Sequence, residues 1–144
     1  MKIYLDNCCF NRPFDDQKQL RIKLETEAKL RIQEDIRSGS HQLVWSYILD
    51  YENSRNPFRE RREQIARWRA YSKANIEEDE KVMDIATRVN QHGIKKMDSL
   101  HIACAIAAEA DYFLTTDDEI LKRAIHIQDM RITDPIGFII EVLS

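Results

Sequence analysis

The chain is poor in residues that break or staple a fold: its 144 residues include 3 Gly, 3 Pro and 3 Cys. So few breakers leave little material for flexible linkers. With 43% hydrophobic and 33% charged residues, the composition suits one helix-rich globular domain. The cysteines, Cys8, Cys9 and Cys104, are odd in number and include a vicinal pair. That makes a poor disulfide framework without the paired spacing of a zinc site, and it fits a reducing, cytoplasmic setting. No apolar run of ~18 residues is available to span a bilayer. The opening Met1-Lys2-Ile3-Tyr4-Leu5-Asp6 reaches a carboxylate before a signal-peptide core can form, so the chain is expected to be neither exported nor membrane-embedded. Excess positive charge is missing too. At a formal net charge of -3, attraction to nucleic acid would have to come from a local patch or a bound cation.

What remains is a regular alternation of apolar patterns. Residues 2–6 read as a short strand ending in an acid, followed by a loop with Asn11, Arg12 and Pro13. Over residues 16–37, Leu20, Leu24, Ala28, Ile32 and Ile36 recur at helical spacing until Ser38-Gly39-Ser40 ends the pattern. Residues 42–45 give a second strand, Ser46 is placed to cap a helix over 47–54, and Asn56-Pro57 opens another that reaches Tyr71. A helix over 77–91 carries Val82, Ile85, Ala86 and Val89 and stops at Gly93; an alanine-rich helix then runs from Asp98 to Ala110. A third strand covers 112–115, a short helix 116–124, a candidate fourth strand lies near 131–132, and a last helix starts at Pro135. There is no repeat and no domain boundary. Strands separated by helices favour a parallel sheet covered on both faces, which binds ligands outside the carboxyl ends of its strands. Asp6 and Asp117 fall there.

Four acids stand out by position: Asp6 after the first strand, Glu52 on the helix after Ser46, Asp98 opening the small-residue helix, and Asp117 after the third strand. Each also has a plain structural role. Asp6 can simply end a strand, Asp98 can cap the helix from Ser99, Thr116 and Glu119 can form a capping box around Asp117, and Glu52 can pair with Arg55. Gathered in one place they would need a cation, because two carboxylates ~4 Å apart repel by roughly 4 kcal/mol at an effective dielectric of 20. Carboxylate oxygens suit Mg²⁺ or Mn²⁺, whereas zinc would call for a His or Cys set.

The ordered set resembles the PIN-domain family, which includes the VapC-like toxin ribonucleases. The likeness is carried by Tyr4-Leu5-Asp6, by Ser46 to Glu52, by Met97-Asp98-Ser99-Leu100-His101-Ile102-Ala103-Cys104-Ala105 and by Phe113-Leu114-Thr115-Thr116-Asp117-Asp118. These pieces span most of the chain in the family's order. Asn7 departs from the pattern, since a small hydroxyl residue is frequent there in the family. The resemblance implies a three-layer α/β/α fold with a central parallel sheet, one PIN-like nuclease domain over residues 1–144, and divalent-cation-dependent endoribonuclease activity leaving 5′-phosphate and 3′-hydroxyl ends. It assigns the acidic roles to these four positions; among them Asp6 and Asp98 are expected to hold the principal metal, Asp117 to contribute directly or through water, and Glu52 to orient the attacking water or a second ion. An RNA substrate, an antitoxin protein and a second copy of the chain are the partners it brings.

Beside these acids, Arg55, Arg59 and Arg62 are candidates for holding phosphates. On an ideal helix Arg59, Arg62 and Arg69 share an arc of about 80°, next to a stripe of Phe58, Ile65 and Trp68 that reads as packing or a dimer contact. His101 reads as a hydrogen-bonded structural residue, Cys8 and Cys9 as small side chains near the site, Asp118 as an auxiliary acid and Asp50 as surface. Two competing functions are a non-catalytic PIN-like module that binds RNA or protein, and a phosphohydrolase for small phosphate esters. The second is disfavoured because Asp6-Asn7-Cys8 lacks another nearby aspartate.

Overall fold

The computed structural model describes residues 1–143. Five strands, β1 (Lys2–Leu5), β2 (Gln42–Ser46), β3 (Ser72–Ile76), β4 (Tyr112–Leu114) and β5 (Arg131–Thr133), form one sheet in the order β3-β2-β1-β4-β5. Every pairing is parallel. The central strands are near-continuous apolar runs, as strands covered on both faces must be. Ile3, Tyr4 and Leu5 of β1 and Leu43, Val44 and Trp45 of β2 are wholly buried. Flanking the sheet are α1 (Asn7–Asn11), α2 (Leu20–Arg37), α3 (Tyr47–Ser54), α4 (Arg59–Arg67), α5 (Glu80–Asn90), α6 (Lys96–Ala107), α7 (Asp118–Arg123) and α8 (Pro135–Leu143). Helix α6 carries the small buried side chains Ser99, Ala103, Cys104 and Ala105, and packs beside α5; α2 packs with α8. Among the described residues no helix is long and apolar enough to cross a membrane.

The strand order fixes where a ligand can sit. The chain builds outward from β1 to β2 and β3, then returns to add β4 and β5 on the other side of β1. The boundary between β1 and β4 is therefore the topological switch point, where the connections diverge and leave a crevice outside the strand ends. Asp6 N–H donates to Leu114 C=O at 2.9 Å, continuing the β1–β4 ladder to the lip of that crevice.

Several elements differ from the sequence expectation. Strand β3 was not foreseen: Ser-Lys-Ala-Asn-Ile is a poor β-former, and its place at the sheet edge, with an irregular register against Leu43 and Val44, lets it stay half exposed. The one-turn helix α1 replaces an expected loop, because the Asp6 side chain accepts a hydrogen bond from Asn7 N–H and caps it. Helix α4 ends at Arg67 and gives way to a tight turn over Trp68–Tyr71. The expected apolar stripe of α2 holds only in its second half. Ile32 and Ile36 are buried, but Leu20 is 71% exposed, and the inward face of the helix carries Glu25, Lys29 and Gln33. Glu25 tolerates full burial because Arg12 Nε donates to its Oε1 at 3.0 Å, with Arg21 Nε 3.5 Å from Oε2.

Candidate metal centre

Asp6 leaves β1 in extended conformation and turns directly into α1, so its carboxylate is fixed on both sides. Oδ1 accepts from Asn7 N–H at 2.8 Å, and Oδ2 accepts from the Thr115 hydroxyl at 2.8 Å and from the Cys8 thiol at 3.5 Å. The same Thr115 oxygen accepts from Asp117 N–H at 3.1 Å, which links the ends of β1 and β4 through one side chain. Asp117 itself caps α7, its Oδ1 accepting from Glu119 N–H at 2.8 Å. Thus Asp6 and Asp117 are both helix caps and both point acid groups at the switch point. The structural and functional readings of these residues are compatible, since a carboxylate has four lone-pair sites and a cap uses one.

Glu52 arrives from α3. Its Oε1 pairs with His101 Nε2 and its Oε2 accepts from Asn7 Nδ2 at 3.4 Å. His101 is wholly buried on α6, and its other nitrogen, Nδ1, lies 2.5 Å from the Tyr4 hydroxyl, which is 2.7 Å from Ser46 Oγ. One assignment satisfies every group in this chain. Ser46 donates to Tyr4, Tyr4 donates to Nδ1, and Nε2–H donates to the Glu52 carboxylate, while Ser46 Oγ accepts from Leu49 N–H at 3.2 Å. Burial holds the Tyr4 hydroxyl well above its usual pKa, with Cys104 adding to the rise and Asp6 and Glu52 contributing less. His101 is thus structural, as its sequence position suggested, and it is also part of the site.

Atoms of Asp6, Glu52 and His101 approach within 4.8 Å of one another, with His101 Nε2 4.0 Å from Asp6 Oδ1. Asp98 and Asp117 stand outside that tight set. They share its field nonetheless: burial first, then the charges of Asp6 and Asp117 and more weakly Glu52, push the Asp98 carboxyl up to about 6 against the opposing pull of His101. Asp98 lies in the first turn of α6, where the sequence had suggested a cap; the helix starts earlier, at Lys96. The set has the makings of a metal site on two counts. It offers carboxylate oxygens that repel one another, and Asn7 Oδ1, buried beside Glu52, has no hydrogen-bond partner among the described residues.

No family model and no curated protein matches the sequence. Solved structures do. The structure of FitAcB from Neisseria gonorrhoeae superposes with a TM-score of 0.60 over 92% of this chain and 97% of that one, at 15% identity. VapBC2 from Rickettsia felis, bound to a DNA fragment from their promoter, gives a TM-score of 0.55 over 93% and 98%, also at 15% identity. The fold is PIN-like. Likeness at this level of identity is one of architecture, and the PIN-like sheet brings the four acids to one end of the molecule from positions as distant as Asp6 and Asp117.

Other expected residues are placed differently in the PIN-like frame. Arg55 lies over the Tyr51 ring, with its Nη1 3.0 Å from the Tyr51 hydroxyl. Arg59 pairs with Glu63 at 2.9 Å, and Arg62 donates to Asn56 C=O at 2.8 Å. These three arginines are engaged within their own segment. Ile65 belongs to the core and Trp68 packs half buried against it, as the packing alternative expected, while Phe58 is left exposed. Asp118 turns away to a two-pronged pair with Arg21, and Asp50, expected at the surface, accepts from the Trp45 indole at 2.9 Å. Cys9 is buried, as expected; Cys8 takes part in the site through its bonds to Asp6 and Thr116 N–H. Sequence reasoning missed Tyr4 and Thr115 as site residues. Their role depends on side chains meeting across strands, which no spacing along the chain encodes.

Proposed function

We propose that the chain is a divalent-cation-dependent endoribonuclease and the toxin half of a toxin–antitoxin pair. The observation that carries the reading is the convergence of Asp6 and Glu52, with Asp98 and Asp117 in the same field, at the switch point of a PIN-like sheet. Asp6 and Asp98 would hold Mg²⁺ or Mn²⁺, with Asp117 as a further direct or water-mediated ligand. When bound, the cation polarises a phosphodiester and lowers the pKa of a coordinated water. The chain's own groups do the rest. Thr115 and Asn7 N–H hold Asp6 so that it needs no rearrangement. Glu52, aimed by His101 and Asn7, orients the attacking water and accepts its proton. The water oxygen bonds to phosphorus as its proton passes to Glu52, the bond to the 3′ oxygen breaks, and that oxygen takes a proton from solvent, giving 5′-phosphate and 3′-hydroxyl ends.

The partner part of the proposal rests on the resemblance to the VapC-like toxins, together with the likeness in fold to FitAcB and VapBC2. It is also favoured by exposed apolar side chains on the packed pair α2 and α8, where Leu24, Ile140 and Leu143 are 44%, 59% and 48% exposed. A homodimer and a cytoplasmic setting belong to the same reading. The test is cleavage of a labelled single-stranded RNA pool by wild type and Asp98→Asn, with Mg²⁺, Mn²⁺ or chelator. Cutting that needs the metal and vanishes in the variant supports the reading. Metal-independent cutting, or equal cutting by the variant, overturns the metal site, and no cutting of any pool favours a non-catalytic binding module.

A further inference from the structure

The inward face of α2 carries a second polar feature that the acidic site does not use. Lys29 and Gln33, one helical turn apart on α2, are both 4% exposed and line a cleft of about 130 Å³ with Phe10, Phe14, Ile65 and Trp68. Neither side chain has what burial normally demands. The Lys29 ammonium faces the Phe10 ring at 5.5 Å, and among the described residues it has no hydrogen-bonding or ion-paired anion. Gln33 Nε2 is buried without a hydrogen-bond partner. Burial lowers the Lys29 pKa to about 7. Two donors on one helix face therefore converge on a space whose other walls are aromatic and aliphatic except for Gln64 at its exposed edge.

We propose that this cleft is a binding site for a small carboxylate with a flat apolar body, the carboxylate taken by Lys29 and Gln33 and the ring by Phe10, Phe14 and Trp68. The geometry matches the two halves of such a molecule. A carboxylate supplies the anion that Lys29 lacks and an acceptor for the Gln33 amide, and charge-assisted bonds of this kind are the strong ones. The cleft is open on one side, so it takes a ring against its walls without having to enclose the whole ligand. Leu30 and Gln64 are the exposed members of the lining, through which such a ligand reaches the cleft. The site lies on the α2 and α4 side of the molecule and needs neither the acidic cluster nor a metal.

Titration of benzoate into the full chain tests it, read by calorimetry and by the NMR shift of the Gln33 side-chain amide. Benzyl alcohol, with a ring but no charge, and acetate, with a charge but no ring, are the comparison probes. Benzoate is expected to bind saturably with a shift at Gln33, and to bind at least roughly tenfold more weakly to Lys29→Met and to Gln33→Leu. Both comparison probes are expected to bind more weakly than benzoate. Lys29→Met keeps an apolar stem over Phe10, and its thermal melt confirms that the cleft is still formed. Gln33→Leu provides an independent variant that leaves Lys29 in place. Absence of a saturable shift at Gln33, or equal benzoate affinity in wild type and folded Lys29→Met, overturns the proposal.

Discussion

Replacing Asp98 by Asn should stabilise the metal-free protein at neutral pH. The Asp98 carboxyl is pushed from 3.8 up to about 6, chiefly by burial and then by Asp6 and Asp117. At ~1.4 kcal/mol per unit, a shift of about two units corresponds to roughly 3 kcal/mol of unfavourable charge in the folded state. Asp98 is only half buried, and solvent screening reduces that to about 1.5 kcal/mol. Asn also gives up the favourable charge in the first turn of α6, worth ~0.3–1 kcal/mol, so the net gain is about 1 kcal/mol. The sign reverses the usual behaviour of acids. Above pH ~6 the folded chain carries an ionised Asp98 at a cost the unfolded chain lacks. Below pH ~4 both states are protonated and the cost is gone. The variant's advantage is therefore full above pH ~6 and fades as the pH falls toward 4. Urea unfolding of both proteins in chelator, at pH 7.5, 5 and 3.5, measures it. A variant less stable than wild type at pH 7.5, or an advantage that grows on acidification, would refute the electrostatic reasoning.

Two further outcomes follow from buried polar groups. Tyr4→Phe keeps the ring stacked on Phe113, with centroids 5.3 Å apart, but leaves His101 Nδ1 and the Ser46 hydroxyl without their shared partner. Denaturant unfolding should show a loss of about 1–3 kcal/mol, and a neutral substitution would mean that the relay from Ser46 to Glu52 is not formed. Glu25→Ala leaves Arg12 with Asp15 as its one remaining carboxylate, 3.0 Å away, and Arg21 with Asp118; a loss of roughly 1–2 kcal/mol is expected in the same assay. A change below about 0.5 kcal/mol would show that Glu25 does not anchor α2 to the Arg12 turn.

The sheet was legible wherever a strand is buried on both faces, because β1, β2 and β4 announce themselves by apolar runs between helical patterns. Strand β3 was not, since it takes its conformation from pairing with β2 at the edge while its residues favour other structure. Helix α2 shows the opposite failure: its exit was readable, but its start, at Leu20 where residue 16 was expected, and the identity of its buried face were not. Leu20 and Leu24 fit the helical period as well as Glu25, Lys29 and Gln33 do, and only tertiary pairing decides that the charged set turns inward. In the candidate site, the four acids could be named because strand ends and helix starts are local signals. Their linkage through Thr115, and the support of Glu52 by His101 and Tyr4, comes from contacts between residues 42 to 109 positions apart.

The strand order also sets when this site can exist. A growing chain emerges from its N-terminus, and β1, β2 and β3 can pair as soon as residue 76 is available. At that stage β1, destined for the centre, is still an open edge, and Asp6 has neither Thr115 nor Asp117 beside it. Glu52 likewise has no imidazole to hold it until α6 is made. Insertion of β4 against β1 closes the edge and completes the acidic cluster in the same event, so a nascent or truncated chain ending before residue 112 lacks the assembled site even where half its sheet has formed.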